Sequence, residues 1–337
     1  MRATPKGWAR ALSLEGVLKR AWLEARMLGE RGRFLLQGRP EPSAAIVLAS
    51  SGRSGSTWLA DLLSLGGTQQ IFEPLHPRFN RRVERMTAWY GARPYTRSYY
   101  LRAGGDYPEW RELWEEVLAG RSRSHWTDQR RTSLFPKRYL IKVIRANLML
   151  GFAYDLYRPR IVCLVRHPCA VVHSRLMGEW HADVADILDQ EALVEEYLRP
   201  WLGLIEREQD LLGAHAVWWA VENSVAMREL ATRPHCPVFY EELVLGAQGQ
   251  LDRILGWLGV PAHTVSTDLV ETPSRVSRRG PASAELIPAD HWLRAWQQAL
   301  APHEQRRILD WAHRLGIACY NDRALPVQML DGPGGND

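Results

Sequence analysis

The chain has 337 residues, 46% of them apolar, and a net charge of +5 from 43 Lys and Arg against 38 Asp and Glu. That length and apolar fraction exclude a disordered chain and suffice for one large α/β domain or two smaller ones. The modest basic excess suits an anionic ligand and is too weak to argue for nucleic acid.

Residues 1–43 are basic, with apolar Leu12, Leu14, Val17, Leu18, Trp22 and Leu23 interspersed. They read as a helical segment docked on the domain or, alternatively, as a basic amphipathic helix touching a membrane surface. The compact apolar core and cleavage site of a signal peptide are missing. No apolar run reaches membrane-spanning length. The four cysteines, Cys163, Cys169, Cys236 and Cys319, lack CxxC spacing. A reducing, cytoplasmic compartment without structural zinc is the expectation.

The apolar run Ala44-Ala45-Ile46-Val47-Leu48-Ala49 predicts a strand. Ser50-Ser51-Gly52-Arg53-Ser54-Gly55-Ser56-Thr57 follows, and Trp58 to Leu63 predicts a helix. A strand, a small-residue turn with one cation and a helix N-terminus can hold a phosphate, because glycines let amides approach and the helix dipole favours an anion. An ordinary strand-to-helix turn is the alternative. A Walker A loop is excluded: only two residues separate Gly52 from Gly55, and Ser56 stands where Lys would be. The three spaced glycines of a dinucleotide fingerprint are also missing.

Three more short apolar runs predict buried parallel strands: Tyr139 to Ile144, Ile161 to Val165 and Pro237 to Tyr240. Helical patterns lie between and after them, at 190–208, 215–230 and 248–258. The alternation implies a parallel sheet with helices on its faces. The stretch 77–137, rich in Arg, Trp and Tyr, breaks that rhythm and reads as an insertion over the ligand end of the sheet. Its aromatic residues suit sugar stacking or lid packing. Trp218, Trp219 and Asn223 sit at helical spacing and read as structural. Residues 326–337 read as a loose tail.

Lys142 and Arg145 sit at the end of the second run. Arg145 either binds an acceptor or pairs with Asp155 or another acid. After the third run comes Arg166-His167-Pro168, with Pro168 placed as a first helical residue and Ser174 eight residues beyond Arg166. One guanidinium and one hydroxyl there can converge on a second phosphate. The alternative is a surface Arg and an incidental Ser. Two phosphate sites on neighbouring sheet elements fit a nucleotide carrying phosphate on both its 5′ and 3′ sides.

On these residues the chain resembles the sulfotransferases that use 3′-phosphoadenosine 5′-phosphosulfate (PAPS). Arg53-Ser54-Gly55-Ser56-Thr57 is similar to their 5′-phosphosulfate loop, and Arg166 through Ser174 to their 3′-phosphate element. Trp58 and Tyr240, in Phe239-Tyr240-Glu241-Glu242, match residues that contact adenine. Ser277-Arg278-Arg279-Gly280 resembles a late segment folding over the 3′-phosphate, with Arg in place of Lys and without the following glycine-rich portion. The resemblance implies a single P-loop-like α/β domain over 44–325, with the 77–137 insertion on the acceptor side.

Cytosolic members carry a catalytic His where this chain has Ile144. Phe72-Glu73-Pro74-Leu75-His76 is similar instead to a segment of carbohydrate and bacterial glycan or glycolipid sulfotransferases, which implies Glu73 as base. His76 is the runner-up and His181 the third choice; an arginine-paired carboxylate at a helix end is the structural alternative for Glu73. Arg53 and Lys142 are expected to balance charge on the sulfuryl and leaving oxygens, without a metal. The acceptor is expected to be a carbohydrate, glycolipid or hydroxylated natural product. A nucleotide-binding protein that lost catalysis, and a kinase-like phosphotransferase, are the competing readings.

Overall fold

The computed structural model describes residues 41–64, 68–89, 98–129, 136, 138–261 and 289–327, with scattered positions between 18 and 32. Five strands form one sheet: β1 (Ile46–Ser50), β2 (Thr68–Phe72), β3 (Arg138–Val143), β4 (Arg160–Val165) and β5 (His235–Phe239), in the order β2-β3-β1-β4-β5. Every pairing is parallel. Alternate residues face opposite layers, as the strand period requires. Val47 and Ala49 join one core; Ile46 and Leu48 join the other.

Helices α1 (Ser56–Leu63), α2 (Arg81–Trp89), α3 (Pro108–Leu118), α4 (Leu150–Tyr157), α5 (Pro168–Met177), α6 (Leu211–Leu230), α7 (Tyr240–Leu245), α8 (Ala247–Leu258), α9 (Ala289–Ala299) and α10 (Pro302–Arg314) flank the sheet. Leucines of α1 and α8 cover one face. Helices α3 to α6 and α10 pack on the other. Within the 77–137 stretch, Trp110 and Trp114 of α3 are fully buried in that larger core. Trp218 and Trp219 are fully buried on α6, a helix apolar nearly all round because it lies inside the layer.

One strand was not predicted and one predicted helix differs from the structure. Strand β2 was invisible to an apolar-run search because Thr68-Gln69-Gln70 opens it, yet both Gln are fully buried. The Gln69 side chain donates to the Gln70 carbonyl at 2.7 Å, which offsets part of that burial. The helix expected over 190–208 is broken into α turns at 191–193 and 202–205, a π turn at 194–198 and a 3-10 turn at 199–201. Pro200 lacks the N–H for the Glu196 carbonyl, and its ring crowds that group.

Strand β1 lies centrally, so the loops leaving β1, β3 and β4 emerge side by side at the carboxyl edge. In open α/β sheets that edge is where ligands bind. Among the described residues, no helix is long and apolar enough to cross a membrane. The four cysteines are free and buried.

Candidate active site

The loop after β1 is bent by two left-handed residues, Arg53 (φ 77°) and Gly55 (φ 88°). Ser54 N–H closes onto the Ser51 carbonyl at 3.3 Å. Helix α1 then starts at Ser56, so Ser56 and Thr57 lie in the turn whose amides lack intrahelical acceptors. The Arg53 Nε donates to Ser174 Oγ on α5 at 2.9 Å, joining residues 121 positions apart. Arg166, at the end of β4, donates through Nη1 to the Arg53 carbonyl at 3.0 Å. Its guanidinium carbon sits 4.4 Å from the Tyr240 ring centroid, and Trp58 meets Tyr240 edge-on at 6.2 Å. The structure thus brings Arg53, Ser54, Gly55, Ser56, Thr57, Trp58, Arg166, Ser174 and Tyr240 into one place. Arg278, Arg279 and Gly280 lie outside the described residues.

This cluster fits an anionic nucleotide. The buried Ser54 Oγ and Arg166 Nε have no hydrogen-bond partner, and buried polar groups of that kind ordinarily find one. Gly55 is constrained twice: an added Cβ would lie 2.4 Å from the Tyr240 ring, and φ is left-handed. Gly55→Ala is therefore expected to lower stability by about 1–3 kcal/mol and to weaken nucleotide binding. Thermal melts with and without nucleotide check this; an unchanged melt and affinity would contradict it.

A buried brace underneath was missed in the sequence. Arg175 donates to the Gly52 carbonyl at 3.2 Å and pairs with Glu222 at 2.9 Å. Ser98 Oγ donates to the other Glu222 oxygen at 2.8 Å. Asn223 donates to Ser51 Oγ at 2.9 Å. Trp180 packs so closely on Gly52 that an added Cβ would lie 2.6 Å from its ring. Helical spacing put Asn223 beside the tryptophans, but only the fold shows that it reaches the loop.

The second cluster grows from the ends of β2 and β3. Phe72 is in register with Lys142, and Glu73 N–H donates to the Lys142 carbonyl at 2.9 Å. Glu73 thus follows a strand, not a helix as its sequence context suggested. Its φ of 46° turns the chain sharply there. Four described non-glycine residues have positive φ, and Arg53 and Glu73 are two of them; such strain persists where the surroundings over-determine it and clusters at functional sites. Glu73 is 3% exposed. Lys142 Nζ donates to Oε1 at 2.5 Å; Ile144 N–H and Arg145 Nη1 donate to Oε2 at 3.3 and 3.4 Å. Arg145 therefore pairs with Glu73, whereas Asp155 pairs with Arg233. Burial pushes the Arg145 pKa down, and the Glu73 and Glu222 carboxylates work to restore it. Ile144 also approaches Gly52, which links the two clusters.

The histidine candidates fare differently. His76 Nδ1 accepts from Arg78 N–H at 3.2 Å. Burial, then the Arg145 and Arg78 charges, lower its pKa to about 3, so it is neutral and weakly basic at pH 7. His181 is exposed and lines a separate 540 Å³ cavity with Asp183, Leu188, Glu206 and Leu211.

Behind Arg166 a buried strut fixes the turn. His167 N–H donates to Glu241 Oε1 at 2.9 Å, and Tyr320 O–H donates to Oε2 at 2.9 Å. The His167 ring stacks on Trp296, and its Nε2 lies 2.9 Å from the Asn321 carbonyl. Burial first lowers the His167 pKa to about 4, with the Arg166 charge acting in the same direction. His76 and His167 both titrate near 6.5 when unfolded. Between pH 6.5 and 4 these two imidazoles bind more protons in the unfolded chain than in the native one, so their contribution to stability falls as pH drops through that window, while Glu229, raised by burial to about 7, acts in the opposite direction. Chemical denaturation at pH 7 and pH 5 is expected to show lower stability at pH 5, and less of that loss in His167→Gln.

The sulfotransferase family profile matches residues 45–264, more than half of the chain. A search of curated proteins found no match. Among solved structures, the chain is similar to a sulfotransferase domain from the curacin biosynthetic pathway, at 17% identity, 80% of this chain, 96% of that one and a TM-score of 0.43. A mouse sulfotransferase complexed with PAP matches at 15% identity over 81% and 84% of the two chains, with a TM-score of 0.37. A sulfotransferase from Alicyclobacillus acidocaldarius matches at 14% identity over 81% and 96%, with a TM-score of 0.36.

Proposed function

Because the chain belongs to the sulfotransferase family, we propose that it moves a sulfuryl group from PAPS to an acceptor hydroxyl, with Glu73 as base. The observation that carries this reading is the Arg53–Ser174 bond, with Arg166 closing on the same loop. It joins the two anion-binding elements that a nucleotide phosphorylated at both 5′ and 3′ positions requires.

PAPS, when bound, supplies the sulfuryl group and a phosphate leaving group. The amides of Gly55 to Thr57, with the Ser54 hydroxyl, would hold the 5′ side, Arg166 and Ser174 the 3′-phosphate, and Trp58 and Tyr240 the adenine. Glu73 takes the acceptor proton as the hydroxyl oxygen bonds to sulfur and the bond from sulfur to the phosphate oxygen breaks. Lys142 and Arg53 balance the charge left on that oxygen, where a partly dry site strengthens them. Lys142 has a double task, because it also grips Glu73. An ammonium has three donors, so Lys142 can hold Glu73 and still donate to an incoming anion. His76, neutral and weakly basic, is the poorer choice.

The acceptor is proposed to be a carbohydrate or a related hydroxylated compound, a reading supported by the likeness of Phe72-Glu73-Pro74-Leu75 to the glycan-type segment. Mass spectrometry of an acceptor panel with PAPS is expected to show a gain of one sulfuryl group. Melts are expected to rise with 3′-phosphoadenosine 5′-phosphate (PAP), by about 2.7 kcal/mol of stability at a hundredfold excess over Kd, and not with ATP and Mg²⁺. Preference for ATP would favour a phosphotransferase. Stabilisation by PAP without turnover would favour a binding protein that lost catalysis.

A further inference from the structure

Beside Glu73 the chain presents a ledge of aromatic rings that neither core absorbs. Phe79 lies stacked on Trp126, centroids 3.8 Å apart and planes 15° from parallel. His76 meets both edge-on, 4.8 Å from Phe79 and 5.4 Å from Trp126, and Phe72 meets Trp126 at 5.4 Å. The ledge is bolted to the carboxylate residue: Trp126 Nε1 donates to the Glu73 carbonyl at 3.3 Å. Lys142 Nζ sits 4.8 Å from the Phe72 centroid. Phe79 nevertheless stays 42% exposed. The exposed Arg78 guanidinium lies 5.6 Å from its ring centroid.

Stacking on the half-buried Trp126 orients the Phe79 ring while leaving it partly open to water, on the same segment that carries Glu73. The π faces of the ring carry negative charge density that attracts weakly positive C–H groups. A pyranose has a flat C–H face and polar edges. The ledge offers a related pattern: stacked rings, the long Arg78 side chain reaching over Phe79 as a donor, and the Glu73 backbone tied to Trp126. A phenol has an acidic hydroxyl with little need of a buried carboxylate base, whereas an aliphatic hydroxyl needs one.

We propose that Phe79, stacked on Trp126, is the platform for the C–H face of a pyranoside acceptor, with the hydroxyl to be sulfated turned toward Glu73. This rests on the sulfuryl-transfer reading above and names the substrate class. Phe79 sets acceptor specificity and takes no part in the donor site.

Saturation-transfer NMR of the full chain with PAP tests it, using methyl β-D-glucopyranoside, methyl β-D-galactopyranoside, sorbitol and phenol as probes. Saturation is expected on a glycoside and concentrated on one ring face, lost in Phe79→Ala and kept in Phe79→Tyr. With PAPS, Phe79→Ala is expected to raise the glycoside KM about tenfold, with a smaller effect on kcat and unchanged PAP affinity. Equal glycoside binding in Phe79→Ala, or signal from sorbitol or phenol alone, overturns the platform. So does tight PAP binding with no glycoside signal in the unaltered chain. Failure of the unaltered chain to bind PAP would instead overturn the sulfuryl-transfer reading, and the platform with it.

Discussion

Glu73→Gln is expected to lower turnover about 100- to 10,000-fold while PAP still binds. Glutamine keeps the shape of the side chain but has one acceptor oxygen, so it keeps the bond from Lys142 or the one from Ile144 but not both, and it cannot take a proton. The substitution also removes the negative charge between Lys142 and Arg145 in a site where Glu73 is 3% exposed. Removing one partner of a buried ion pair costs about 3–5 kcal/mol when the other charge is stranded. The melt is therefore expected to fall, and activity must be compared at a temperature where the variant is folded and PAP affinity has been measured. Near-normal turnover would strip Glu73 of the base role and leave it as the anchor of Lys142.

Arg166→Ala is expected to weaken PAP by about 1.5–3 kcal/mol, roughly 10- to 150-fold, and adenosine 5′-phosphate far less. The difference between the two ligands isolates the 3′-phosphate. Arg166 also holds the Arg53 carbonyl and lies over Tyr240, so some loss is common to both nucleotides. Calorimetry with each nucleotide separates the contributions. Equal losses would assign Arg166 to loop support instead of phosphate contact.

Strands β1, β3 and β4 were legible because each buries both faces and so writes a nearly continuous apolar run; the edge strand β5, buried at alternate residues in its first half, was read only from Pro237 onward. Strand β2 was not, because Gln69 and Gln70 are polar by type and buried by position. The loop after β1 declared its chemistry locally, through Arg53 and Gly55. What the loop touches could not be read locally. Ser174, Asn223 and Tyr240 reach it only because β4 lies beside β1 and β5 beside β4 in the sheet order. The Glu73–Lys142 pair depends likewise on the register of β2 against β3. Arg175 and Glu222 gave no sequence signal, since buried ion pairs and surface charges use the same residue types.

The strut on Glu241 has a consequence for how the molecule is made. Asn321 follows His167 by 154 positions, and Tyr320 closes the same carboxylate. A nascent chain that has already produced all five strands still lacks the residues that fix the turn carrying Arg166. If nucleotide binds this turn as proposed, it is expected to stabilise chains whose far segment has docked more than chains that still lack it.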